Sequence, residues 1–337
     1  MVVKFGVAIP TCAEGLVYKS PFITSDELIQ LAVKAEELGF DSIWANDHIT
    51  TPNYVKRISK VPPNFFEPLI SLSIIACSTK KIKLATGVIV LPQRNPVILA
   101  KQVSTLDVFS GGRVILGVGL GAYREEFEAV NPSSSYQNRA LILEEGIRAI
   151  KILLSQKRAS FNGQFFKFRN IEMYPKPVQS KLPIYIGGNS DQAIRRTAEL
   201  GDGWFPAILT PSELSRKINL LTEFVSKLRR KIDEIEIAPQ FIVSIAKDRV
   251  KALKIFRNSR AYSHLTSLKA STLREQALGS LEERNLVGSP SDIIKKIENY
   301  VNVGVTYFAA LVFIGESVGD MIKNMSYFAS DVMGCFL

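Results

Sequence analysis

Two short polar segments of this 337-residue chain have residue types and spacing suited to chemistry. In Asn46-Asp47-His48, an acid precedes one of only two histidines. A histidine beside a carboxyl group can exchange protons near neutral pH. The structural alternatives are a hydrogen-bonded core histidine and an aspartate that caps the following loop.

The second segment is Gly187-Gly188-Asn189-Ser190, which joins a predicted strand to a predicted helix. The first N–H groups of a helix have no partner within it, so this junction could bind a phosphate. A tight turn in which Ser190 is only the helix N-cap explains the same residues.

A glycine-rich stretch at residues 112–127 matches the pattern Gly117-x-Gly119-x-x-Ala122 that is typical of dinucleotide binding. That fold also needs an acidic residue at the end of the next strand, about 20 residues on. Here a helical pattern at residues 136–154 follows, so the stretch is interpreted as the fourth strand of a longer series. Glu125, Glu126 and Glu128 give the next helix an acidic first turn, and for Glu128 a solvated face that complements the helix dipole is favoured.

Composition excludes several classes of protein. The net charge is +10, but no basic run interleaved with aromatic residues indicates nucleic-acid binding, and a positive surface suits an anionic small molecule equally well. The three cysteines, Cys12, Cys77 and Cys335, have unrelated spacings, so neither a disulfide framework nor a metal site is expected. With no signal-peptide pattern and no apolar run of about 18 residues, we expect a cytoplasmic protein without membrane association.

Periodicity predicts eight strands alternating with helices, which favours one (β/α)₈ TIM barrel over residues 1–337. The predicted strands cover residues 2–9, 41–46, 83–91, 113–118, 183–186, 203–207, 237–246 and 305–313. Two insertions are expected, a hairpin region near 156–178 and a helical region near 248–286 without a strand of its own. The alternative is a doubly wound open sheet, which should lack the last two strand–helix pairs.

Both polar segments therefore fall at the carboxyl ends of barrel strands, where active sites of such barrels lie. The residues show neither a Ser-His-Asp order nor a His-x-x-x-His pair. They therefore favour an organic cofactor that carries out the chemistry while the protein positions it.

The chain resembles the bacterial-luciferase-like family of flavin- and deazaflavin-dependent oxidoreductases over nearly its whole length. The resemblance depends on several motifs spread along the chain: Lys4-Phe5-Gly6-Val7, residues 38–48, Thr86-Gly87-Val88, Arg94-Asn95-Pro96, residues 110–114 and 117–127, residues 183–188, and Gly201-Asp202-Gly203-Trp204. The Asn46-Asp47-His48-Ile49 group is most similar to the branch that uses coenzyme F-420, an 8-hydroxy-5-deazaflavin.

The resemblance implies a role for each site residue. Asp47 would contact the deazaflavin ring, and a cis peptide between Gly87 and Val88 would lie behind it. The loop of Gly187, Gly188, Asn189 and Ser190 would hold the cofactor phosphate. His48 and Trp44 would face the substrate. A homodimer acting on a small molecule is expected by the same resemblance.

Departures from the family pattern leave the substrate open. Ala122 stands where the sugar-phosphate and secondary-alcohol dehydrogenases carry Glu, and Ala8 stands where the methylene-tetrahydromethanopterin reductases carry Glu. Luciferase-type monooxygenases often have His at the position of Asp47. The alternatives are an FMN-dependent monooxygenase or reductase, and a non-catalytic cofactor-binding protein.

Overall fold

Strands and helices alternate along most of the chain in the computed structural model, which describes residues 2–130, 136–268 and 280–336. The strands are β1 (Lys4–Ile9), β2 (Ser42–Ala45), β3 (Lys83–Thr86), β4 (Ile89–Val90), β5 (Val114–Gly119), β6 (Ala159–Asn162), β7 (Lys167–Ile171), β8 (Ile184–Gly187), β9 (Gly203–Phe205), β10 (Glu236–Ile237), β11 (Gln240–Ile245), β12 (Leu286–Gly288) and β13 (Tyr307–Phe313). The helices are α1 (Ser25–Glu37), α2 (Asn53–Ile58), α3 (Pro68–Ser78), α4 (Pro96–Ser110), α5 (Arg124–Val130), α6 (Arg139–Ser155), α7 (Asp191–Leu200), α8 (Pro211–Lys227), α9 (Arg249–Asn258), α10 (Arg260–Leu268), α11 (Pro290–Val301) and α12 (Val318–Asp331).

The parallel strands form a TIM barrel, as the sequence predicts. Neighbouring strands around the barrel are hydrogen-bonded in the order β9-β8-β5-β3-β2-β1-β13-β11, and β4 also pairs with β5. The circle closes through the seventh barrel strand, whose first part, β10, pairs with β9 and whose second part, β11, pairs with β13. An isolated bridge between Ala207 and Gln240 joins the sixth and seventh strands at the interruption.

Helix starts follow the capping signals in the sequence. Thr24, Thr210 and Ser289 each accept a hydrogen bond from the third helical N–H, while the acidic residue there reaches back to the cap. Because these helices begin at fixed points, the loops that precede them also have defined lengths, and those loops form the mouth of the barrel.

Three features of the fold differ from the sequence-based expectations. The third and seventh predicted strands, at 83–91 and 237–246, are each interrupted, the first by the cis peptide at Gly87–Val88 and the second at residues 238–239. The helical region near 248–286 was expected to have no strand of its own, but β12 begins at its end and pairs in parallel with the carboxyl-terminal half of β11. Three residues are too few for hydrophobic periodicity to reveal.

Both expected insertions contain regular structure. The Asn162-Gly163 signal gives the antiparallel hairpin β6–β7. The second region contains α9 and α10, and its residues 269–279 lie outside the described part of the chain.

Two apolar clusters hold the barrel together. The larger one fills the layer between strands and helices, as expected for a parallel sheet covered by helices. The smaller one lies around Trp44 and includes Tyr185, Phe205 and Tyr307. In this cluster the Trp44 ring stacks on Phe205 with 4.8 Å between ring centroids. No helix in the described ranges is long and apolar enough to cross a membrane.

Candidate active site

A cavity of about 280 Å³ opens among the loops that follow the barrel strands. Its lining includes Trp44, His48, Gly87 and Tyr123 from the first half of the chain and His264 from α10. The structure therefore brings together the predicted substrate-facing pair, Trp44 and His48, with the predicted cis peptide.

Asp47 is buried beside this cavity, and the protein itself binds both of its carboxylate oxygens. Arg94 donates from Nη2 to Oδ1 at 2.7 Å and from Nε to Oδ2 at 3.0 Å. The backbone N–H of Val90 donates to Oδ2 at 3.0 Å. Arg94 also donates to Glu67 at 2.9 Å. Asp47 thus ties the loop after β2 to the segment after β4, and its contact with a deazaflavin ring stays a prediction.

His48 has a carboxylate partner that sequence reasoning left unassigned. Its Nδ1 lies 3.1 Å from Oε1 of Glu126, and that carboxylate also accepts the backbone N–H groups of Ile49 at 3.1 Å and Thr50 at 3.4 Å. The Glu126 side chain is 1% exposed and that of His48 is 16% exposed. Because Glu126 accepts the Nδ1 hydrogen, Nε2 of His48 is the nitrogen available to accept or donate a proton.

The first turn of α5 supplies this partner because of its helical spacing. Glu125 accepts the backbone N–H of Asn53 at 2.8 Å, and Glu126 turns inward to His48. Glu128 is exposed and pairs with Arg124, as expected for a solvated face. The sequence does not tell which of three acids in one helical turn is buried, because each of them is suited to solvent near a helix N-terminus.

The glycine-rich motif accommodates the cis peptide. A β-carbon on Gly117 would lie 2.0 Å from the carbonyl oxygen of Thr86, and one on Gly119 would lie 2.6 Å from Cγ2 of Val88. Thr86 also exchanges two hydrogen bonds with the backbone of Gly117, at 2.8 and 2.9 Å. The predicted cis bond between Gly87 and Val88 is confirmed, and glycine is needed at 117 because of the Thr86 backbone and at 119 because of the Val88 side chain.

The loop after β8 is held in a fixed shape by Asn189. Its amide donates to the carbonyl of Ala207 and accepts from the N–H of Ala207, both at 2.9 Å. Gly188 has a φ of 130°, a conformation that other residues rarely adopt. Ser190 caps α7 by accepting from the N–H of Ala193, so the N-cap interpretation of Ser190 is confirmed.

This loop still offers donors for an anion. The N–H groups in the first turn of α7, at Asp191 and Gln192, have no acceptor within the helix. Phosphate binding by Gly187, Gly188, Asn189 and Ser190 stays a prediction, with backbone N–H groups as its donors.

Trp44 forms part of the cavity wall but has no free donor. It is 1% exposed, and its indole N–H donates to the Ser42 hydroxyl at 2.7 Å. Its expected role toward a substrate stays a prediction, and with its N–H bonded to Ser42 that role would be packing.

A comparison with family models decides the classification. The luciferase-like monooxygenase model matches residues 3–307. The chain belongs to the luciferase-like monooxygenase family.

Relatives in this luciferase-like group have different named activities. The chain is 27% identical over 323 residues to an F420-dependent glucose-6-phosphate dehydrogenase of Kineococcus radiotolerans, covering 91% of this chain and 92% of that one. It is 25% identical over 329 residues to a 5,10-methylenetetrahydromethanopterin reductase of Archaeoglobus fulgidus, covering 89% and 92%. The monooxygenase RslO1 of Streptomyces bottropensis has a similar structure, with a TM-score of 0.82, 21% identity and coverage of 99% and 100%.

Sequence reasoning also missed a second histidine of this luciferase-like site. The Tyr54 hydroxyl lies 2.6 Å from Nδ1 of His264. The two residues are 210 positions apart, and His264 lies in the helical insertion, where no strand end marks it as a site residue.

Proposed function

We propose that this protein is an oxidoreductase that transfers a hydride between the deazaflavin coenzyme F-420 and a small organic substrate. The observation that carries the proposal is the His48–Glu126 pair, which lines the same cavity as the cis Gly87–Val88 bond. The relatives named for F-420 support the choice of cofactor.

The residues present fit a phosphate-bearing deazaflavin. Gly87 presents no side chain to the cavity, and a β-carbon there would lie 3.1 Å from Trp44 and 3.2 Å from Phe205. The N-terminus of α7 supplies backbone donors for a phosphate. Arg216 lies beside this end of α7 and would match an acidic cofactor tail, in a groove where Lys217 is paired with Asp191.

Each residue of the chain then has a defined task. Bound F-420 supplies or accepts the hydride. Glu126 orients His48 through Nδ1, and His48 Nε2 moves a proton to or from the substrate atom that changes its bonding. Asp47 and Arg94 fix the loop that carries His48. Trp44 and Phe205 exclude water from the floor of the site.

Titration with F-420 and with FMN tests the cofactor assignment. We expect saturable F-420 binding, followed by fluorescence, that is at least tenfold tighter than FMN binding. Tight FMN binding with none for F-420 would reverse the assignment, because FMN activates oxygen whereas a deazaflavin does not. Tight cofactor binding without turnover across a broad substrate panel would instead indicate a non-catalytic binding protein.

Two alanine variants separate binding from chemistry. We expect Asp47→Ala to weaken F-420 affinity by about 1–3 kcal/mol, since the loop beside the cofactor loses its anchor. His48→Ala should keep that affinity and lower turnover with a surrogate hydride acceptor by about 10²–10⁴-fold. Equal F-420 affinity in the wild type and Asp47→Ala would contradict the proposed place of the cofactor.

We also propose a homodimer, supported by exposed apolar side chains on two helices that pack against each other. Ile70 and Ile74 on α3 are 64% and 50% exposed, and Ile98 and Phe109 on α4 are 60% and 74% exposed. Solution scattering should give the mass of two chains, and a monomeric mass at micromolar concentration would contradict this.

A cytoplasmic location is proposed as well. Cys12, Cys77 and Cys335 are free thiols, which suits a reducing compartment. Cell fractionation tests this location.

A further inference from the structure

Five rings form a row from the loop after β2 to α10. Successive ring centroids are 5.5 Å apart from Phe65 to His48, 5.5 Å from His48 to Tyr123, 5.9 Å from Tyr123 to Tyr54 and 6.1 Å from Tyr54 to His264. His48, Tyr123 and His264 also line the cavity. The row therefore places two imidazoles on the cavity wall, of which the proposed reaction uses only His48.

His264 is an uncharged group at neutral pH. Burial lowers its pKa to about 4, and the nearby His48 contributes in the same direction. Burial raises the pKa of Tyr54, which therefore keeps its proton. The Tyr54 hydroxyl occupies Nδ1 of His264, so Nε2 is the nitrogen left to hydrogen-bond a ligand, as donor or acceptor according to the tautomer.

Within the described ranges, no Asp, Glu, Lys or Arg side chain lines the cavity. Most of its lining is apolar, including Leu16, Val17, Ile242, Leu265 and Leu268.

Several polar groups of the lining are already used by the protein. Asn46 bonds to Thr11 and Cys12, and the Tyr18 hydroxyl donates to the carbonyl of Phe313 at 2.8 Å.

We infer that this cavity takes a neutral, largely apolar substrate and that His264 is its second hydrogen-bonding group beside His48. An anionic substrate would lose its hydration here without meeting a Lys or Arg among the described lining residues, which is unfavourable. The substrate expected here therefore differs in charge from glucose 6-phosphate, the phosphorylated sugar for which one relative is named. The inference rests on the proposed function only in taking this cavity as the substrate site.

A matched pair of probes tests the inference. Methyl 4-formylbenzoate and 4-formylbenzoate share a ring and an aldehyde, but only the second is an anion at pH 7. Binding of each to the F-420-loaded protein is measured by calorimetry and by saturation-transfer NMR. We expect the ester to bind at least about tenfold more tightly than the carboxylate.

Variants of α10 assign the preference to His264. His264→Lys places a cation in the cavity and should reduce the preference for the ester by about tenfold or reverse it. Thr266→Lys is the matched control, because Thr266 is exposed on the same helix, and it should leave the preference unchanged. His264→Leu adds no charge and removes the hydrogen-bonding nitrogen, so it should weaken ester binding about five- to tenfold. Circular dichroism confirms that each variant is folded.

The outcomes separate this inference from the proposed function. Failure of F-420 to bind contradicts the proposed function, and the probes are then compared on the cofactor-free protein. Equal binding of the two probes overturns the inference, as does binding of neither probe at millimolar concentration. Unchanged ester affinity in His264→Leu removes His264 from the site.

Discussion

The hydrogen bond between Glu126 and His48 can be tested by replacing the carboxylate of Glu126 with the amide of glutamine. In Glu126→Gln the remaining oxygen can still accept from Nδ1 of His48 and from the backbone N–H groups of Ile49 and Thr50, which lie 3.1, 3.1 and 3.4 Å from Oε1. The side chain keeps its size but loses its charge. The variant should therefore fold and position His48 more weakly.

The magnitude follows from the charge of the acceptor. Hydrogen bonds to charged groups contribute about 1.5–3 kcal/mol, whereas neutral ones contribute about 0.5–1.5 kcal/mol. The difference between these ranges, about 1.3 kcal/mol, corresponds to about tenfold in rate. We expect turnover of Glu126→Gln to fall by about tenfold, with F-420 affinity changed less than about twofold because Glu126 does not line the cavity.

Turnover with a surrogate hydride acceptor and ¹⁵N NMR of the imidazoles provide two independent measurements. The chain contains only two histidines, so His48 and His264 can be assigned by single substitutions. In the wild type the hydrogen of neutral His48 should reside on Nδ1, and in Glu126→Gln part of it should move to Nε2.

Glu128→Gln is the matched control, since Glu128 is exposed two positions further along the same helix and pairs with Arg124. A surface pair of this kind contributes little, so this variant should behave as the wild type. If Glu126→Gln and Glu128→Gln have the same turnover and the same His48 tautomer, Glu126 does not position His48.

Three further changes test the framework of the site by thermal and chemical unfolding. Gly119→Ala should destabilise the protein by about 1–3 kcal/mol, because its β-carbon would lie 2.6 Å from a valine methyl group of the cis peptide, whereas Gly319→Ala in an open helical position should be neutral or stabilising. Arg94→Met should destabilise by about 3–5 kcal/mol, because it leaves the buried Asp47 without its cation, and a loss under 1 kcal/mol would contradict the pairing. Folding lowers the pKa of His264 from 6.5 to about 4, so the unfolded chain takes up this proton first as the pH falls. Between pH 6.5 and 4 the free energy of unfolding should therefore drop by about 3 kcal/mol more in the wild type than in His264→Gln. Equal pH profiles of the two proteins would refute the buried neutral imidazole.

The sequence alone determined the barrel and most of its boundaries. Strands β5 (Val114–Gly119) and β8 (Ile184–Gly187) lie within one residue of the predicted ranges 113–118 and 183–186, because short apolar runs bounded by Gly or Pro are visible locally. The resemblance also located His48, the cis bond at Gly87–Val88 and the loop before α7.

Only the tertiary structure decided which side chains meet. Asp47 and Arg94 are 47 positions apart, His48 and Glu126 are 78 apart, and Tyr54 and His264 are 210 apart. Residue type gives no signal for such pairs, since an acid in the first turn of a helix is equally suited to solvent and to a buried histidine. The curvature of the barrel brings separate strand ends to one cavity, so the partner of each polar group depends on the closed sheet rather than on its neighbours in the chain.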